Sequence, residues 1–202
     1  MQLNLNQLSA GQVYHFLTQS LIPRPIAWVL SSNNAGVLNL APFSFFTGVC
    51  SSPPLVMLSV GNKSSGLAKD TRENLLSGKD FVLHLPALSS AKDVTLSAKE
   101  LPAEESELDL LENAELVEFA GCPLPRLAAS PLAFQAKLHK VDYLGDQPHS
   151  VIDAELLQAY ISDDILNPNA PQGRLQLDAN KLNPLARLGA GSYVGIAEAF
   201  KA

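Results

Sequence analysis

Apolar residues fall in short alternating or continuous blocks along most of this chain, and only a few stretches space them as a helix would. Pro25 to Leu30 (Pro-Ile-Ala-Trp-Val-Leu) reads as a buried strand turned by Ser31-Ser32-Asn33-Asn34-Ala35-Gly36, and Val37 to Phe46 reads as a returning second strand. Leu55 to Val60 is a third, nearly all-apolar strand before a loop at Gly61 to Gly66, and Phe81 to Leu85 is a fourth. Leu132 to Tyr143 alternates as a long strand with Phe134, Ala136, Leu138 and Val141 pointing inward. After the Gly145-Asp146 turn, Ser150 to Ile161 has helix-forming residues, but its place behind a hairpin turn favours a returning strand. Helical spacing is confined to residues 3–19 (Leu8, Val13 and Phe16, with Ser9 as cap), 89–98, 104–112 and about Leu182 to Arg187. Asp70-Thr71-Arg72-Glu73 has the spacing of a capping box, which opens a helix running to Ser77 and ended by Gly78. Many short strands with scattered helices predict one mainly β domain over residues 1–202, barrel-like and with peripheral helices, because regular βαβ alternation is missing.

Composition allows such a core. In 202 residues, 47% are hydrophobic and the mean hydropathy is +0.10, enough to fill one domain. The formal charge of -6 argues against a general nucleic-acid binder. Eight acids and no base lie between Glu100 and Glu118, which reads as a solvated face; the rest of the chain holds twelve acids against fourteen bases, so a small anionic ligand fits. Two cysteines, Cys50 and Cys122, without metal spacing, and no apolar run of about 20 residues, predict a reducing, cytoplasmic setting away from membranes.

The stretch Asn39-Leu40-Ala41-Pro42-Phe43-Ser44-Phe45-Phe46, closed by Ser51-Ser52-Pro53-Pro54, carries the most chemistry. Pro42 interrupts the strand and leaves neighbouring backbone groups unpaired, while Asn39 and Ser44 put polar side chains beside an aromatic surface. That suits a floor for a flat, partly polar ring system; an edge strand with a bulge is an equally good reading. Lys69, Asp70, Thr71 and Asn74 at a helix start offer charge, a hydroxyl and free N–H groups to an anion, or simply an ordinary helix cap. Trp28 suits a core better than a ligand platform. Gly189-Ala190-Gly191-Ser192-Tyr193-Val194-Gly195 has one residue too many for a dinucleotide fingerprint. Among the histidines, which lack metal-ligand spacing, His149 follows a turn and is a candidate for nucleotide or substrate contact, although a solvated loop histidine is the better reading.

In order and spacing, Arg24-Pro25-Ile26-Ala27-Trp28-Val29, the Asn39 to Phe46 run, Pro53-Pro54, Lys69-Asp70-Thr71 with Asn74, and Leu182 to Gly189 with Tyr193 resemble the flavin reductase-like family. The resemblance covers nearly the whole chain. It implies a homodimeric six-stranded split β-barrel of Greek-key topology, of the FMN-binding type, with FMN held by Asn39, Leu40, Ala41, Pro42, Phe43, Ser44, Lys69, Thr71 and Asn74. It further implies NADH or NADPH as electron donor, with no catalytic acid or base; a flavoredoxin-type electron carrier serving an acceptor protein, or a flavin-binding module without turnover, is the alternative. Ile152-Asp153-Ala154-Glu155-Leu156 departs from the Gly-Glu-Val type of run that family members commonly carry after the hairpin.

Overall fold

The computed structural model describes residues 1–146 and 149–197. The first half contains α1 (Ala10–Ser20), β1 (Arg24–Pro25), β2 (Ala27–Ser32), β3 (Leu38–Phe43), β4 (Phe46–Ser51), β5 (Pro54–Val60), α2 (Asp70–Leu76), β6 (Phe81–Leu85) and α3 (Ala91–Leu96). The second contains β7 (Leu116–Val117), β8 (Arg126–Leu127), β9 (Leu132–Leu144), β10 (His149–Ile161), α4 (Ala179–Leu182), β11 (Ala186–Gly189) and β12 (Ser192–Val194). Seven strands form one antiparallel sheet in the order β3-β2-β6-β9-β10-β5-β4, and β3 curls back to approach β5, which gives the split barrel. A small sheet, β1-β11-β12, flanks it. None of the described helices is long and apolar enough to cross a membrane.

Alternation along β2 separates two cores. Ala27 and Val29 point into the barrel with Phe43, Leu58, Phe81, Leu83 and Ile152, whereas Ile26, Trp28 and Leu30 join Val82, Val94, Leu127 and Leu185 on the other face. The inward residues expected on β9, Phe134, Ala136, Leu138 and Val141, all pack against the barrel core. Their spacing changes from two to three because Asp153 pairs with Lys140 and Ala154 with Leu138, leaving His139 as a bulge that flips the alternation.

Several expected elements differ. The strand expected from Val37 to Phe46 stops at Phe43 and resumes as β4, which pairs with β5 at the opposite end of the sheet from β3. Pro42 can donate nothing to a ladder, and the break after it makes seven barrel strands rather than six. The helix expected over 104–112 is only a 3-10 turn at Glu107–Leu110, and 89–98 holds a 3-10 turn followed by the short α3. Nor is Leu182 to Arg187 a helix. Asp178 caps the start of α4, Asn183 ends it with φ of 35°, Pro184 follows, and Ala186 onward is β11. At α2 the capping-box expectation also fails, because the cap position is Lys69, without a side-chain bond, and the Asp70 carboxylate turns instead to Lys63 Nζ at 2.7 Å.

Helix α1 is tied on by backbone proximity. Its own capping box, between Ser9 and Gln12, is complete. Gly189, at φ +87°, lies so close that an added Cβ would sit 2.7 Å from the Thr18 carbonyl oxygen. Gly189→Ala is therefore expected to destabilise the protein by about 1–3 kcal/mol from the left-handed backbone alone, with the clash in addition. Gly11→Ala, in α1 with open space around it, is expected to stabilise by about 0.5–1 kcal/mol. Urea midpoints measure both, and an unchanged midpoint for Gly189→Ala would show that neither the left-handed backbone nor the approach of α1 constrains this position.

Candidate functional site

The break after β3 borders a cavity of about 580 Å3, within the range of small-molecule sites. Pro42, Phe43, Ser44 and Phe45 form one side, Ile26 and Val94 add apolar surface, and Tyr14 from α1 leans on Phe45 edge to face at 6.3 Å. The loop expected over Gly61 to Gly66 supplies Asn62, Lys63 and Ser64. A smaller hollow of about 100 Å3 shares Pro42, Phe43, Lys63, Lys69 and Ala98 with it and adds Asn39, Ala41 and Thr71. An aromatic floor thus passes into a polar, lysine-bearing end.

Each polar group at that end is held. Asn39 Nδ2 donates to Thr71 Oγ1 at 2.8 Å, which docks α2 on β3 and leaves the Thr71 hydroxyl proton to donate elsewhere. Lys69 Nζ lies 3.7 Å from Glu100, whose carboxylate accepts from the Ser64 hydroxyl and N–H and is held below the usual carboxylate range by those bonds. Because Lys63 already has Asp70, Lys69 is the less committed cation.

Two expected site residues lie elsewhere. Leu40 buries its side chain in the outer core and donates its N–H to Glu107 Oε2 at 3.0 Å, while Asn74 reaches Ser31 Oγ at 3.1 Å behind α2. Neither lines the two connected hollows. Glu107 also corrects the reading of the acidic run as wholly solvated: it is 4% exposed on the smaller hollow's wall, and burial pushes its carboxyl up. β3 is an end strand of its sheet, and its Leu40 N–H meets Glu107, a contact across 67 residues that no local pattern announces.

His149, expected in a solvated loop, instead opens β10 half-buried on the cavity wall. Its Nδ1 is 3.4 Å from Ser59 Oγ, and a Cβ on Gly61 would come within 3.0 Å of the ring, so Gly61 makes room for it. Tyr14, Lys63 and Arg187 are lining residues that sequence reasoning did not single out. Arg187 was inside a noted motif, but only the β1–β11 pairing, Arg24 opposite Arg187, turns it toward the site. Trp28 is 1% exposed, and its indole N–H donates to Ser97 Oγ at 2.8 Å; it belongs to the core.

Comparison with known proteins agrees with this architecture. The model of the flavin reductase like domain matches residues 19–176. Nitrilotriacetate monooxygenase component B from Bacillus cereus is similar at TM-score 0.87 and 30% identity, covering 100% of this chain and 98% of that one. A 2-nitrobenzoate 2-nitroreductase from Pseudomonas fluorescens is similar at TM-score 0.87 and 25% identity, covering 100% and 95%. A flavin-reductase-type split-barrel protein from Shewanella frigidimarina shares the fold at TM-score 0.83 and 16% identity, covering 100% and 98%.

Proposed function

We propose, because this chain belongs to the flavin reductase-like domain family, that it binds FMN in the connected hollows and passes electrons to it from NADH or NADPH. The observation that carries this reading is the cavity of about 580 Å3, with an aromatic floor at Pro42 to Phe45 and two lysines at one end. Its donors fit the cofactor: the ring would lie along Pro42, Phe43 and Phe45, with Ser44, Asn39 and the Ala41 backbone at its polar edge. Lys69, Lys63 and the Thr71 hydroxyl would hold the phosphate, beside the opening N–H groups of α2 that no side chain caps. When bound, the flavin supplies the hydride chemistry. The chain's own work is to orient the two ring systems and exclude water, and no side chain needs to act as acid or base. In this reading Leu40 and Asn74 support the site from behind.

The similar monooxygenase component supports an acceptor protein downstream of the reduced flavin. A dimer is supported by Tyr14, Phe16, Leu21 and Ile22, exposed on and just after α1, and by Val49 on the edge strand β4. Free Cys50 and Cys122 fit a cytoplasmic setting.

The test is the absorption spectrum of the purified protein after one equivalent of FMN, then after anaerobic NADH or NADPH, with sedimentation of the same sample. A perturbed flavin spectrum, bleaching by one nicotinamide and a dimer are expected. An unperturbed flavin spectrum would sink the binding site; a bound flavin that neither nicotinamide bleaches would leave an electron carrier fed by another protein. A flavin-loaded monomer would remove the dimer.

A further inference from the structure

The wall of the larger hollow carries a charge, outside the smaller hollow that Lys63 and Lys69 share, that the flavin reading does not use. Arg24 and Arg187 are register partners across β1 and β11. Arg24 is buried, and its guanidinium is committed: Nη1 donates to the carbonyls of Thr18 and Leu21, and Nε reaches Ser44 Oγ at 3.5 Å. Arg187 is half-buried on the cavity wall, donates to Tyr193 Oη from Nη1, and sits 4.7 Å over that ring, whose hydroxyl in turn lies 2.9 Å from Thr95 Oγ1. Burial first, then the neighbouring Arg187 charge, holds the Arg24 pKa below its ordinary value.

Among the described residues no carboxylate lies within salt-bridge distance of either arginine, whereas both cavity lysines face one. Two guanidinium groups held together without a counter-charge favour an anion from solution. Arg187 has five donors and one of its nitrogens engaged, so a fork remains for a carboxylate. The surroundings select the rest of that molecule. Tyr14 and Phe45 form an edge-to-face pair, Arg24 lies 5.8 Å from the Phe45 centroid, and Ile26 and Pro42 complete an apolar, aromatic rim.

We propose that Arg187, backed by Arg24, is the carboxylate-binding subsite for a small planar aromatic acid that shares the cavity with the flavin. The inference rests on the reading that FMN takes the lysine end. Arg187 sets which molecule is accepted, and Tyr193 with Thr95 holds its guanidinium in place.

The experiment uses the full chain, with and without FMN, and isothermal titration with benzoate and with uncharged benzamide. FMN affinity is measured separately for wild type, Arg187→Gln and Arg187→Lys. Benzoate is expected to bind the wild type at least about tenfold more tightly than benzamide, and Arg187→Gln to abolish that preference, since charge-assisted hydrogen bonds of this kind are worth about one to two powers of ten. Arg187→Lys, which keeps the charge but loses the fork, should fall between, and it carries the test if Arg187→Gln does not fold. FMN affinity should stay within about threefold in both variants, a change of under 1 kcal/mol. Equal affinity for benzoate and benzamide, or none for either, overturns the subsite. A loss of FMN affinity matching the loss of benzoate affinity overturns it too, by assigning Arg187 to the flavin. If wild type binds no FMN, the proposed function fails by itself, and benzoate titration of the flavin-free chain still decides the subsite.

Discussion

Lys69→Ala is expected to weaken FMN binding about ten- to a hundredfold while leaving riboflavin almost unaffected, because a charge-assisted hydrogen bond to phosphate is worth on the order of 1.5–3 kcal/mol. Riboflavin shares the ring and ribityl chain and lacks only the phosphate. Lys69 stands at the junction of the two hollows with its nearest carboxylate 3.7 Å away, so its charge is available. Lys63→Ala should act in the same direction by another route, since it frees the Asp70 carboxylate, now held at 2.7 Å, to repel the anion. Thr71→Ala is expected to weaken both flavins, because Asn39 loses its acceptor along with any phosphate contact. Titrations followed by flavin absorption at fixed ionic strength measure all three. Equal losses of FMN and riboflavin with Lys69→Ala would reduce α2 to a supporting element and remove the phosphate site from this end.

Stability is expected to fall by on the order of 3 kcal/mol between pH 6.5 and pH 4 through one buried imidazole, at about 1.4 kcal/mol per pH unit. His84 on β6 is wholly buried, with Nδ1 bonded to the Trp28 carbonyl at 3.0 Å and Nε2 accepting the Leu127 N–H at 3.0 Å. Burial, aided by the Arg126 charge and opposed by the Trp28 carbonyl, pushes its pKa from 6.5 down to about 4. Within that window the unfolded chain binds a proton that the folded one refuses, so acid favours unfolding; above pH 6.5 both states are neutral and the effect vanishes. Glu107 opposes this: burial raises its pKa, the folded chain takes up that proton first, and stability gains slightly as pH falls toward the ordinary carboxylate range. The difference between wild type and His84→Gln isolates the imidazole. Urea midpoints at pH 7 and pH 4.5 should show a smaller drop in His84→Gln, although that variant starts less stable. Parallel pH profiles would mean that His84 takes up its proton alike in the folded and the unfolded chain, and the burial effect would be refuted.

How much of this could be read from sequence depended on how local the cause was. β2, β5, β6 and β9 were legible because each carries its own alternation or apolar run, β10 only because it follows a hairpin turn, and Pro42 marked the floor of the cavity by its chemistry alone. β4 was not: its Gly48, Val49 and Cys50 are exposed, so no buried face imposes a pattern. Asp70 had the spacing of a cap, yet Lys63, seven residues upstream, outcompeted the helix N–H groups for it. Leu182 to Arg187 looked helical until Asn183 and Pro184 ended α4 and β1 recruited Ala186 and Arg187 as a strand. Of the expected flavin residues, those facing the barrel side of β3 and the start of α2 came together at the cavity. Leu40 fell on the opposite face by simple alternation, and Asn74 one turn along α2 turned behind it. Glu107 and Arg187 depend on pairings across 67 and 163 residues, which composition cannot forecast.

The solitary indole gives the molecule an internal lamp. Trp28 is sealed in the outer core, and its only polar atom is bound to Ser97, itself on the wall of the smaller hollow. Its emission should therefore be blue-shifted in the native state and move to longer wavelength on unfolding, reporting on the same strand that separates the two cores. Tryptophan emission overlaps flavin absorption, so a flavin seated next to that wall would quench it by resonance energy transfer. Occupancy of the cavity and integrity of the fold can thus be followed through one chromophore, the first by its brightness and the second by its colour.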